Sequence, residues 1–505
     1  MMNIASWIEN WAVATPGKIA IRFEGQEIGY PEFDAQIKAS ARMLKDGLGV
    51  RPGDRIAYLG QNHPQILVLV FACARLGAIF VPLNWRLAPK EHLYMLKDSG
   101  AVTLFVDEPY CAQCEDLKTK LSDCQFVAVQ GDKSPGWLRL LDLLKTAEGD
   151  DHYPDIGLDT PLLLIYTSGT TGFPKGAVLS QEAIQYNAFN STIMHDMTSN
   201  DLILTVLPLF HVGGLNNQTT VGFYNGATVI LHRIFDPEQV MNTIVHDKVT
   251  LTIMLPAHMP LLHALPRWEE SDLSSLRAVL TGSTTIPENM VRYWHDKGIP
   301  LLQMYGATET CPIATYQTIA NAFATEGSIG FPAMHCELRI VDGQGNDCAV
   351  DEPGEILVRG KSVMSHYWND EAVTKRNLVN GWFHSGDIGR VDETGCYYFV
   401  DRKKDVIISG SENIYPAEIE NVLSEHPDIL EAAVVGRDDS RWGEVPVAVI
   451  ANKENRNLNK EQVLDWLSGK LGKYKHPRDV LFVDALPRNE MRKVLKDVLR
   501  DMVNG

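Results

Sequence analysis

The sequence predicts an α/β protein: a large N-terminal domain of layered α/β subdomains plus a β subdomain, then a small α+β C-terminal domain. Three observations carry this reading. Short apolar runs alternate with amphipathic stretches through the first 330 residues, the rhythm of α/β layers with largely parallel sheets. From about residue 335 the runs are separated by Gly/Asp turns with little helical pattern, which reads as antiparallel β. After Arg402-Lys403-Lys404-Asp405 a mixed pattern returns. The boundary is therefore placed there, giving domains 1–401 and 402–505.

Taken in order, Arg55–Leu59 reads as a strand, Gln65–Leu76 as a helix and Ala78–Val81 as the next strand. Further apolar runs at Pro161–Tyr166, Leu202–Leu207, Ala227–Leu231, Leu251–Leu255, Ala278–Thr281 and Leu301–Tyr305 have helical patterns between them. Glu337–Val341, Gly354–Arg359, Gly389–Asp392 and Tyr397–Asp401 are the short strands of the β subdomain. The last domain has helices near Pro416–Ser424 and Lys460–Leu471, and strands at Ile429–Gly436 and Val445–Asn452.

Charge narrows the function classes. The formal net charge is −18 over 505 residues, a poor match to nucleic acid or to anionic membranes. Basic and acidic residues number 29 and 46 up to residue 401, but 17 and 18 after it. Nine basic side chains fall within 470–500. Such a tail suits a unit that handles an anion, and equally a solvated helical face. No apolar run approaches the roughly 20 residues of a membrane span, and no basic leader precedes an apolar stretch, so a cytoplasmic protein is expected. Eight irregularly spaced cysteines fit reduced thiols. Cys111-Ala-Gln-Cys114 with Cys124 lacks the second close pair of a zinc site.

The run Tyr166-Thr167-Ser168-Gly169-Thr170-Thr171-Gly172-Phe173-Pro174-Lys175-Gly176 is the most unusual. Glycines let backbone N–H groups turn towards an anion, Ser and Thr hydroxyls donate, and Lys175 adds charge. A triphosphate needs those features. The run is not a Walker loop, because Gly176 follows the lysine. A polar turn between two strands is the plainer alternative.

This run resembles the phosphate loop of the AMP-forming, adenylate-forming synthetases. Other signatures follow in family order: Leu207-Pro208-Leu209-Phe210-His211, Tyr305-Gly306-Ala307-Thr308-Glu309-Thr310, Gly381-Trp382-Phe383-His384-Ser385-Gly386-Asp387, Asp401-Arg402-Lys403-Lys404-Asp405, Glu412-Asn413-Ile414-Tyr415-Pro416, and Pro487-Arg488-Asn489 ahead of Lys493. The pattern is most similar to the acid–CoA ligase branch. That resemblance implies two reactions. A carboxylate attacks the α-phosphate of ATP to give an acyl-adenylate, and the CoA thiol then displaces AMP.

The resemblance also implies roles. Thr167, Ser168, Gly169, Thr170, Thr171 and Lys175 would hold the phosphates of ATP, with Thr308 as a further phosphate contact. Glu309 would hold Mg²⁺, a hard cation suited to carboxylate oxygen. Gly282, Ser283 and Tyr305 would form the adenine slot, and Asp387 and Arg402 would take the ribose. His211 would stand at the mouth of the acid pocket. Val212, Gly214, Gly306, Cys311 and Met334, with Gly282, would line it; several are small or apolar, which suits an elongated pocket. Each has a plainer reading: Thr308 and Glu309 as a helix start, Asp387 as a turn residue, Arg402 as a surface charge, Tyr305 as a core aromatic, and His211 as an ordinary histidine.

Lys493 matches the lysine that reaches the carboxylate and α-phosphate during adenylation. Arg492 and Met491 replace the glycine and small hydroxyl residue usual before it. Lys496 falls at the family's second, non-catalytic lysine. Lys404 matches the hinge about which the small domain swings, which makes that domain mobile. Gly410 and Ser411 match the edge of the thiol tunnel, with Ser411 in place of a second glycine. Trp442, Tyr474, His476 and Arg478 match the region that receives the CoA nucleotide. The expected activity is an ATP-, Mg²⁺- and CoA-dependent ligase for a fatty or arylpropenoic acid, acting as monomer or homodimer. The alternatives are an enzyme that loads a carrier protein and a nucleotide-binding scaffold without activity.

Overall fold

In the computed structural model the described residues are all of the 505 except 1, 132–135, 168–173, 283–285, 287, 410–411, 455, 457 and 490–492, together with the side chains of 288 and 289. Two large mixed sheets form the N-terminal layers. One has eight strands. At its centre Ile79–Leu83, Arg55–Leu59, Thr103–Val106 and Gln125–Ala128 run parallel. The other has nine strands, with Leu202–Thr205, Leu251–Ile253, Ala278–Thr281 and Leu301–Gly306 as its parallel core.

The expected strands and helices occupy their predicted places to within a few residues. Pro64–Leu76 shows why. It starts with Pro at the first turn, is capped by His63 accepting from the Gln65 N–H, and stops at Gly77 in the left-handed conformation. It is buried on nearly every side, as a helix between two sheets must be. Apolar residues from both sheets and this helix share one core cluster, and the other face of the eight-stranded sheet has a second.

The sheets are less uniformly parallel than the alternation suggested. Pro161–Thr167 and Lys175–Ser180 form an antiparallel hairpin with Thr167 opposite Lys175. These two strands flank the glycine-rich run, and their middle residues are buried. The expected strand Gly389–Asp392 is the end of a longer one, Trp382–Val391. Ser385, Gly386 and Asp387 hid its first half, because polar residues and glycine are poor strand signals. It sits in a five-stranded antiparallel sheet with Cys336–Val341, Gly354–Gly360 and Tyr397–Arg402.

A fourth sheet lies wholly after residue 406, with order Glu412–Ile414, Ile407–Ser409, Gly443–Asn452, Ile429–Asp439, and with Asp479–Val483 parallel to Gly443–Asn452. It has its own core of Ile407, Ile419, Val434, Ile450 and Leu467. The helix Pro416–Ser424 covers one face, and its Ala417 N–H donates to Asp401 Oδ2 at 2.8 Å. No helix among the described residues is long and apolar enough to cross a membrane.

Candidate active site

The strand Trp382–Val391 carries Asp387 into the interior, where the residue is 3% exposed. Tyr305, at the end of a parallel strand, donates its hydroxyl to Asp387 Oδ2 at 2.8 Å. Arg402 is directly opposite Asp387 in the antiparallel register, and its Nε stands 2.9 Å from Oδ1. The approach suits an ion pair but is out of line for a hydrogen bond, so buried Oδ1 keeps an unused acceptor. Burial pushes the Asp387 carboxyl pKa up, Arg402, Tyr305 and Lys493 pull it back, and Glu309 adds to the rise. An orphaned carboxylate oxygen beside a buried aromatic fits a vicinal diol such as a ribose.

Glu309 lies in a short turn, Thr308–Thr310, just past the strand that ends at Gly306. Its backbone carbonyl accepts from the Met364 N–H at 2.7 Å, and its Oε1 accepts from the Tyr367 hydroxyl at 2.7 Å. This leaves Oε2 for a hard cation. Among the described residues no group of three or more His, Cys, Asp or Glu is placed to hold a metal. A single carboxylate completed by substrate phosphates is how Mg²⁺ is commonly bound, and Glu309 fits that part. Gly306 is required here by packing: a Cβ would lie 1.6 Å from the Pro312 carbonyl oxygen.

Lys493 comes from the far end of the chain. Its backbone N–H donates to Asn489 Oδ1 and its carbonyl accepts from the Asn489 N–H, both at 2.9 Å. Burial and Arg402 lower the pKa of its ammonium, while Asp387 and Glu309 raise it. The same ammonium helps to lower His211. Five side chains far apart in sequence, His211, Glu309, Asp387, Arg402 and Lys493, thus share one electrostatic site.

His211 caps the helical turn Val212–Gly214, its Nδ1 accepting from the Gly213 N–H at 3.0 Å. Burial, with the nearby lysine, brings its pKa down to about 4. The ring is therefore neutral near pH 7, with its proton on Nε2. Gly214 is forced by packing, since a Cβ there would meet the Pro208 carbonyl oxygen at 2.3 Å.

Of the other expected pocket residues, Val212 and Cys311 are fully buried. The Cys311 sulfur accepts from Asn216 Nδ2 at 3.5 Å, and burial pushes its thiol up. Gly282 faces Met304. Met334 is 67% exposed, so it stands at the surface rather than in the enclosed part. Thr308 is buried beside Glu309. Thr167 and Lys175 face each other at the paired strand ends that adjoin the glycine-rich run. Ser168, Gly169, Thr170, Thr171, Ser283, Gly410 and Ser411 lie outside the described residues.

At the hinge position, Lys404 is 3.4 Å from Asp497, and Arg500 pairs with Asp405. Lys496 pairs with Glu420 at 2.8 Å. Trp442, Tyr474 and Arg478 are exposed on the C-terminal unit, and His476 Nε2 lies 3.2 Å from the Leu471 carbonyl. Sequence reasoning missed two features. Tyr367, which holds Glu309, carries no local signal. The run Asn216-Asn217-Gln218-Thr219-Thr220, five polar residues in succession, belongs to an expected helical region but is buried.

Residues 8–368 match the model of the AMP-binding enzyme family, and 418–493 that of the AMP-binding enzyme C-terminal domain. The chain belongs to the AMP-binding enzyme family. It is 48% identical over 503 residues to an indoleacetate–CoA ligase of Aromatoleum aromaticum (strain DSM 19018 / LMG 30748 / EbN1), covering 99% of this chain and 98% of that one. The o-succinylbenzoate CoA synthetase of Bacillus subtilis, solved with its acyl-adenylate intermediate, matches with a TM-score of 0.86 and 33% identity over 99% of this chain and 98% of that one. The same protein solved with ATP and magnesium ion matches equally well, over 98% of each chain. This AMP-binding enzyme is an AMP-forming acid–CoA ligase: it uses ATP, Mg²⁺ and CoA, and makes an acyl-adenylate and then a thioester. Loading of a carrier protein is not favoured.

Proposed function

We propose that this chain joins a small aromatic carboxylic acid, of the arylacetic kind, to CoA. The observation that carries the choice is the 48% identity over 503 residues to the relative named for indoleacetate. A relative named a feruloyl-CoA synthase, 38% identical over 500 residues, supports an aromatic acid, whereas one named a long-chain-fatty-acid–CoA ligase is 34% identical over 481. Fatty acids become the second reading.

In this reading the first reaction occurs in the arrangement described above. Asp387 and Arg402 orient the ribose, and Tyr305 fixes Asp387 by its hydroxyl. The Thr167–Lys175 hairpin and Thr308 receive the phosphates. Mg²⁺ at Glu309 supplies charge neutralisation for the phosphates. His211, neutral, offers Nε2–H to the entering carboxylate without protonating it. Lys493 places a positive charge where negative charge shifts during in-line attack. The two expected domains, 1–401 and 402–505, meet at Lys493 in this state. Rotation about Lys404 then withdraws Lys493 and brings Trp442, Tyr474, His476 and Arg478, with the Gly410–Ser411 edge, to the thiol acceptor.

The test is pyrophosphate release over a panel of arylacetates, arylpropenoates and fatty acids of graded length. The highest kcat/KM is expected for an arylacetate. A maximum at a fatty acid of eight or more carbons overturns the choice.

A further inference from the structure

With Glu309 taken as the Mg²⁺ carboxylate, the residue that sets its orientation is Tyr367. A glutamate side chain has three torsions, the last of them broad. Fixing them as a ligand arrives costs entropy, and hydrogen bonds to a metal-ligating carboxylate fix it beforehand. Here the Tyr367 hydroxyl donates to Glu309 Oε1 at 2.7 Å. Tyr367 is 5% exposed and belongs to the main core cluster, so the donor itself has little freedom. The Glu309 backbone is pinned by the same segment, its carbonyl accepting from the Met364 N–H at 2.7 Å. With the backbone and Oε1 both held, the place of Oε2 is set.

The segment that holds Glu309 also holds the strands on either side of the glycine-rich run. His366 and Tyr367 pair antiparallel with Val178 and Ala177, on the strand that leaves the run. The Ser365 N–H donates to the Val178 carbonyl at 3.0 Å, and the Trp368 N–H to the Gly176 carbonyl at 2.7 Å. The Trp368 indole N–H donates to the Asp98 carbonyl at 3.0 Å. Asp98 Oδ2 in turn accepts at 2.6 Å from the hydroxyl of Tyr166, on the strand that enters the run. The Tyr367 N–H is anchored separately, on Thr374 Oγ1 at 2.9 Å. Residues 364–368 therefore link Glu309 to both flanking strands through a few short hydrogen bonds.

We propose that Tyr367 is a positioning residue for the metal carboxylate. Its hydroxyl holds Glu309 at a set place relative to the glycine-rich run, so that the carboxylate and the run meet one triphosphate together. It acts through Glu309 alone. Losing the hydroxyl should therefore reduce what Mg²⁺ adds to ATP binding. It should leave AMP binding as it was, because Asp387, Arg402 and Tyr305 are held without Tyr367.

The test uses Tyr367→Phe in the full chain, which keeps the ring and removes the donor. Calorimetric titration without acid, so that nothing turns over, gives the Kd of ATP with saturating Mg²⁺ and with chelator, and the Kd of AMP. The tightening of ATP by Mg²⁺ is expected to shrink by roughly tenfold in the variant, with AMP affinity and melting temperature unchanged. The double variant Glu309→Gln/Tyr367→Phe separates positioning from packing. If the hydroxyl works through the carboxylate, Tyr367→Phe costs nothing further once Glu309→Gln is present. Undiminished tightening in Tyr367→Phe, an equal loss of AMP affinity, or losses that add in the double variant each overturn the inference. If Glu309→Gln alone leaves the tightening intact, the assignment of Glu309 has failed and the inference falls with it, an outcome distinct from the other three.

Discussion

Replacing Lys493 by Met removes the ammonium and keeps most of the stem. The ammonium is within electrostatic reach of Asp387, Glu309 and Arg402, in the space assigned to the phosphates. A unit charge about 4 Å from a developing negative charge is worth roughly 4 kcal/mol at an effective dielectric of 20. Loss of that stabilisation in the transition state slows adenylation by about a thousandfold. Folding should not suffer, because burial already lowers the lysine's pKa and so disfavours its charged form. The assay separates the half-reactions: pyrophosphate release for the first, and thioester formation from supplied acyl-adenylate and CoA for the second. The second should change by less than about threefold, since the lysine contributes only to the first transition state. Equal loss in both steps, or unchanged adenylation, refutes the role.

Other outcomes follow from the same geometry. Glu309→Gln keeps the shape and removes the charge; adenylation should fall at least about a hundredfold with a shifted Mg²⁺ dependence and little change in melting temperature. Tyr305→Phe deprives buried Asp387 of one donor, and the KM for ATP should rise roughly fivefold to tenfold while the KM for the acid stays put. Lys496→Met leaves Glu420 and nearby Asp401 without their cation; urea melts should show a loss of about 2 kcal/mol, and an unchanged midpoint would rule the pair out as a stabiliser. Acid should destabilise the chain: His63, His195, His211, His232 and His263 have pKa values lowered by burial to about 4. From pH 6.5 down to 4 the unfolded chain binds these protons more readily, so stability falls. Asp107 and Asp401, raised to about 6 by burial, act in the opposite sense over the same window but are fewer. Urea melts at pH 6.5 and 5 should differ by about 3 kcal/mol or more, and equal midpoints would contradict this.

The legible parts of the sequence were those where local chemistry and tertiary role agree. Buried strands such as Arg55–Leu59 and Ala278–Thr281 are continuous apolar runs, so period and burial point the same way. His211, Glu309, Asp387, Arg402 and Lys493 sit in recognisable runs, and the structure brings them together. Legibility ended where a side chain acts through a distant partner. Nothing near Tyr367 announces that its hydroxyl meets Glu309, 58 residues away in the chain. Nothing in Asn216–Thr220 announces burial, because five polar residues in succession resemble a solvated helical surface until the surrounding sheets are assembled. The strand through Asp387 was half hidden for a related reason: the residues that serve the site are poor strand formers.

The most direct measurement is a rapid-quench single turnover with ATP, Mg²⁺, indole-3-acetate and CoA, following adenylate, thioester, AMP and pyrophosphate together. The acyl-adenylate should rise and decay before the thioester reaches its plateau, with one AMP per thioester, and in Lys493→Met the adenylate phase alone should slow. Thioester formed with ADP and phosphate, or without any adenylate preceding it, would contradict the two-step account.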